Sequence, residues 1–220
     1  MSWFFYSKGG SAEVTDKYRS MIELKQNENE WSIITSKKPH PILSLAPHGG
    51  SIEAGTSELA LLVSQKLQCS YYTFKGQLDT GNSSLHVTST HYDEPAALDI
   101  SETSEYTISI HGYVDTKQSI TYIGGTNIEL INLVKKYLQI GEFNVIDAPS
   151  YLGGKSSKNI ANRNMNKSSV QLELSTKQRR DLFENGDYSK DSRENVEKWS
   201  PDMYRYAQAI EWAVREYMSL

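Results

Sequence analysis

Four side chains in this sequence, His48, Glu53, His111 and Glu173, have the types needed to break an amide bond together. His48 and Glu53 lie in LSLAPHGGSIEAGTSELA (residues 43–60), His111 closes YTISIHGY (residues 106–113) and Glu173 lies in VQLEL (residues 170–174). Two imidazoles and a carboxylate would give zinc three ligands with the fourth position open to water, the catalytic arrangement. Such a water is acidified, yet attack on an amide still needs a base that takes its proton and passes it to the leaving nitrogen. Glu173 is the carboxylate available for that role. Arg163, preceded by Asn162, has the guanidinium geometry to grip a substrate carboxylate through paired hydrogen bonds. Plainer roles stand beside these: a histidine on a glycine-rich loop as a solvated turn residue, Glu53 as a carboxylate favouring a helix start, and Glu173 as a solvent-facing strand residue.

The elements that must position them follow from hydrophobic pattern. Ile42–Ala46 reads as a buried strand stopped by Pro47, which has no amide hydrogen for a ladder, so His48 falls just past the strand end. Gly49, Gly50 and Gly55 permit a turning loop, and Thr56 or Ser57 caps a helix over 58–67. Short strands are expected over 71–74 and 85–90, with His86 facing away from Leu85 and Val87 and His91 at the strand exit, the better second-shell candidate. Alternation in 106–113 gives a strand ending in His111 and Gly112. A strand over 119–123, a helix capped by Thr126 that buries Ile128, Ile131, Val134 and Leu138, and a strand over 143–146 follow. Strands alternating with helices predict an α/β fold, an open, mixed but mostly parallel sheet flanked by helices, with ligands at the carboxyl ends of strands.

Composition narrows the function. The chain has 220 residues, a formal net charge of -4 and a single cysteine, Cys69. An acidic chain is a poor general nucleic-acid binder, so no nucleic acid is expected as partner. One cysteine allows no internal disulfide and no cysteine-rich zinc motif. No run approaches a membrane span and the opening MSWFFYSKGGSAEV lacks a signal-peptide pattern, so a cytoplasmic product is expected, with action outside the cell following host lysis. From Tyr151 to Arg180 seven basic residues face one acidic residue, Glu173, a reversal of sign that suits an anionic partner. Residues 151–169 read as a long polar loop, and Ser200 and Pro201 open a closing helix over 200–219. One domain over 1–220 is expected, with residues 1–30 peripheral and a helix over 14–24 within or beside that segment.

PHGGSIEAGTSELA, SIHG, NIANRN and VQLEL, in that order, resemble the poly-γ-glutamate hydrolase family. The resemblance spans roughly residues 30–220, and the glycine loop is its most specific part. Its members are often encoded by phages or prophages, and some are described as phage-related replication proteins. The resemblance implies a zinc carboxypeptidase-like fold and one zinc held by His48, Glu53 and His111. It further implies Glu173 as general base and acid, and Asn162 with Arg163 in the substrate site. The spacer Gly49–Gly50–Ser51–Ile52 is longer than that of ordinary zinc carboxypeptidases, which suits the hydrolase family. The expected reaction is cleavage of γ-glutamyl amides in an anionic polymer by a metal-activated water, carried out by a monomer. The alternatives are a zinc amidohydrolase, or deacylase, of small N-acyl amino acids, and a non-catalytic phage replication-associated binding protein.

Overall fold

The computed structural model describes residues 16–219. Seven strands form one sheet in the order β1-β3-β2-β4-β7-β5-β6. They are β1 (Trp31–Ser36), β2 (Ile42–Gly50), β3 (Ser70–Gly76), β4 (Tyr106–Tyr113), β5 (Thr121–Gly125), β6 (Val145–Asp147) and β7 (Ser168–Ser175). β1 runs antiparallel to β3 and β5 antiparallel to β7; the other neighbours are parallel, as the strand–helix alternation predicts.

Side-chain alternation divides the core between the two faces. Ile42, Ala46, Ile108, Ile110, Val170, Leu172 and Leu174 pack against α2 (Thr56–Leu67), α4 (Ile128–Ile140) and α5 (Pro201–Met218). Leu43, Leu45, Tyr72 and Phe74 pack on the opposite face with α1 (Met21–Asn27) and α3 (Pro95–Glu102). Leu59, Leu62 and Val63 are buried on α2, and each contributes about 1.5–3 kcal/mol of transfer free energy that holds the helix, and the loop feeding it, against the sheet.

Several sequence expectations are corrected. β2 continues through Pro47 to Gly50, and α2 starts at Thr56 with Gly55 as its N-cap at φ 98° and no side-chain cap. Ser57 is not free to cap: its hydroxyl accepts the Gly50 N–H and donates to Glu58. Residues 85–90 form no strand, only 3-10 turns at Asn82–Leu85 and Ser89–His91. β3 already has β1 and β2 on its two edges, so the chain leaving it cannot pair back onto β3 as a hairpin. Asn127, not Thr126, caps α4, and Ile128 is exposed. The expected 14–24 helix lies partly outside the described residues; α1 runs Met21–Asn27, and Met21 and Leu24 enter the core, so this part of the 1–30 segment is more than peripheral.

Candidate metal centre

The centre begins with a bulge. Ala46 pairs with Thr73 and Gly49 with Lys75, so β2 spends three residue steps where β3 spends two. An extra residue in one strand turns the following side chain to the other face. Without it, His48 would continue the Ile42, Ser44, Ala46 face and point at α2. With it, His48 shares the face of Leu43, Leu45, Ser109 and His111. Pro47 occupies this bulge, where no ladder hydrogen is required of it, and its carbonyl accepts the Tyr92 hydroxyl. Past the bulge, Gly50 turns the chain at φ 63°, and the Glu53 N–H closes back onto the His48 carbonyl at 2.9 Å.

Three donors now converge. His48 Nδ1 is 3.0 Å from Glu53 Oε1 and 3.3 Å from His111 Nδ1, and all three ligand atoms fall within 4.8 Å of one another. His48 and His111 are each 3 % exposed. Their second nitrogens are fixed from behind: His48 Nε2 lies 2.9 Å from the Val87 carbonyl and His111 Nε2 lies 2.9 Å from Ser109 Oγ. A carbonyl only accepts, so His48 Nε2 carries the hydrogen, and in the neutral ring the Nδ1 lone pair faces the Glu53 carboxylate. A proton on His48 Nδ1 or a metal cation satisfies this pair, and two imidazoles and a carboxylate with oriented back sides are a donor set that suits a divalent ion such as zinc. Glu53 Oε2 also accepts the Gly112 N–H at 2.9 Å, which ties the ligand loop to the strand that carries His111.

Charge follows the same geometry. Burial opposes ionisation of Glu53, but His48 and the other imidazoles outweigh it and hold the carboxyl down at about 2. Burial also opposes the charged form of His48, and the Glu53 carboxylate overcomes this and raises the imidazole above its ordinary value. Burial pushes His111 down to about 3, so this ring is neutral and its lone pair available. Glu173 pairs in register with His111 across the parallel β4–β7 ladder, so the two side chains leave the same face of adjacent strands, about 4.8 Å apart. Glu173 is 7 % exposed, and its carboxyl accepts one hydrogen bond from Gln171 Nε2 and is raised well above the carboxylate range by burial and then by the charge of Glu53.

Comparison with known proteins decides the family. The family model for poly-gamma-glutamate hydrolase matches residues 18–209. The chain belongs to this hydrolase family. It is 42% identical over 186 residues to the SPbeta prophage-derived UPF0714 protein YoqZ of Bacillus subtilis (strain 168), covering 83% of this chain and 67% of that protein. Among solved structures it superposes on a bacteriophage poly-gamma-glutamate hydrolase with a TM-score of 0.90 and 36% identity, covering 93% of this chain and 99% of the other. It superposes on a zinc-free form of YndL with a TM-score of 0.86 and 35% identity, covering 92% and 99%.

As a poly-gamma-glutamate hydrolase, the chain surrounds the three donors with groups that sequence reasoning misjudged. His91, the expected second-shell histidine, is exposed, whereas His86 packs its ring 4.0 Å from that of His48 and brings Nε2 to 3.9 Å from Glu53 Oε1. Asp16 orients it: one carboxylate oxygen meets His86 Nδ1 at 2.7 Å and the other accepts the Thr88 N–H at 2.7 Å. No local pattern marks Asp16, because its partner lies 70 residues away.

The two residues expected in the substrate site, Asn162 and Arg163, divide. Asn162 is 3 % exposed and its amide is fully engaged: Nδ2 donates to the Gly154 and Ser156 carbonyls, and Oδ1 accepts from Ser169 and Thr126. It staples the 151–169 loop rather than presenting a free group. Arg163 is exposed and anchored to the site by one hydrogen bond to the Tyr92 carbonyl, whose ring lies 6.4 Å from that of His48. Within the basic stretch, Lys155, Lys158, Arg163, Lys167 and Arg180 are exposed, but Arg179 is buried and is not part of any polymer-facing surface.

Proposed function

We propose that this chain cleaves the γ-amide bonds of poly-γ-glutamate at one zinc ion per chain, held by His48, Glu53 and His111, with Glu173 as proton carrier. The convergence of three donors within 4.8 Å beside the register partner of His111 carries the reading. A zinc ion at this set supplies a water acidified enough to lose its proton near neutral pH, and a Lewis acid for the scissile carbonyl. Everything else is done by the chain. Val87 and Ser109 hold the two rings with their Nδ1 atoms inward. Glu173 acts from its carboxylate form: burial raises its proton affinity, so it takes a proton from the attacking water, becomes the neutral acid its dry setting favours, and returns the proton to the leaving α-amino nitrogen. Exposed Lys155, Lys158 and Lys167 offer charge to the polymer carboxylates, and Arg163 grips one of them near the reacting bond.

All four reacting groups come from one chain, so the reading requires no partner subunit. No helix among the described residues is long and apolar enough to cross a membrane. We place the action outside the cell, on capsule or slime polymer reached after host lysis. The deciding experiment pairs metal analysis of protein purified without chelator with a digest of poly-γ-glutamate followed by viscosity. Near-stoichiometric zinc and loss of viscosity that a chelator abolishes are expected. Zinc-loaded protein that leaves the polymer intact but releases the free amino acid and the carboxylic acid from small N-acyl amino acids would instead favour the deacylase.

A further inference from the structure

Arg179 is 6 % exposed and its hydrogen bonds go to none of the three donors but to the chain one or two residues beyond Glu53, His111 and Glu173. Its Nη1 donates to the carbonyl of Ala54, the residue after Glu53, at 3.0 Å. Its Nε donates to the carbonyl of Leu174, the residue after Glu173, at 3.3 Å. Its Nη2 donates to the carbonyl of Tyr113, two residues past His111, and to Thr176 Oγ1, both at 3.3 Å. A ligand loop, the strand that carries His111 and the strand that carries Glu173 are thus clasped by one planar cation. The clasp also explains Gly112: a Cβ there would stand 2.4 Å from Arg179 Nε and 2.7 Å from Cζ, so any side chain would push the guanidinium off.

We infer that Arg179 is a positioning residue that sets the metal affinity of the centre and the placement of Glu173 relative to it; the inference rests on the functional reading above. The chemistry favours arginine. Three carbonyls in separate directions around one plane match the fixed fork of a guanidinium, whereas an ammonium offers a single point of charge. Groups that orient ligands from behind typically change metal affinity or activity by about 10–100-fold when removed.

The test uses zinc itself as probe, by competition with a chromophoric chelator, on full-length wild type, Arg179→Gln, Arg179→Lys and a remote control, Leu138→Ala, in the α4 core. Zinc affinity is expected to fall about 10–100-fold in Arg179→Gln and by a smaller factor in Arg179→Lys. Leu138→Ala should lower the Tm of the metal-free protein and leave zinc affinity unchanged. In both Arg179 variants kcat on the polymer should drop while KM holds, because the guanidinium does not reach substrate. Where the glutamine variant does not fold, the lysine variant decides. Wild-type zinc affinity in Arg179→Lys, or an equal loss of affinity in Leu138→Ala, would overturn the inference. A wild-type chain that takes up no zinc would overturn the functional reading and the inference together, which keeps the two failures apart.

Discussion

His48 Nδ1 and His111 Nδ1 stand 3.3 Å apart across 63 residues of sequence, with the Glu53 carboxylate within 3.7 Å of both. The two rings meet because the β2 bulge turns His48 onto the face that His111 occupies on β4, the neighbouring strand. The expected consequence is all-or-none metal uptake. His48→Ala and His111→Ala should each lose tightly held zinc, measured by elemental analysis after gel filtration. Full retention of zinc in either variant would remove that ring from the ligand set.

Glu173 offers a separate handle on turnover. Glu173→Gln keeps the shape and the Gln171 neighbour but cannot carry a proton, so zinc content should match wild type while kcat falls about 10²–10⁴-fold, the usual weight of a positioned acid–base group. Turnover within a few-fold of wild type would assign the proton to another group.

Asn162 and Arg163 should separate stability from substrate binding. Asn162→Ala strands four buried or partly buried partners and is expected to cost about 2 kcal/mol or more of stability, with KM near wild type. Arg163→Ala should leave Tm unchanged and raise KM several-fold. Thermal melts and steady-state kinetics on the same samples distinguish them, and an unaltered KM for Arg163→Ala removes it from the substrate site.

Acid should destabilise the metal-free protein through His111. Burial holds its folded value at about 3 against an ordinary 6.5, so between those values the unfolded chain binds a proton that the folded chain refuses. Stability therefore rises with pH across that window and is lost as pH falls from about 6.5 to about 3. Glu53 adds to the loss below its ordinary 4.5, because its folded value is held down at about 2. Melts of chelator-treated protein should show a shallower acid slope for His111→Gln than for wild type. Parallel slopes would show that His111 is not held neutral by its site.

Local pattern in the sequence determined the strand–helix alternation, the parallel bias of the sheet, the apolar face of β7 that leaves Glu173 on the other side, and the candidate ligands His48, Glu53 and His111. Each of these depends on residue type at spacings of a few positions, which a linear chain displays directly. The chain alone did not show that β2 passes through Pro47 by a bulge, because an inserted residue is defined only against its partner β3. Nor did it show that residues 85–90 leave the sheet, that His86 rather than His91 backs the centre, or that Asp16 and Arg179 hold it together. Those relations are set by which edges are occupied and which distant carbonyls a side chain meets. Tertiary packing decides both, and sequence spacing carries no trace of them.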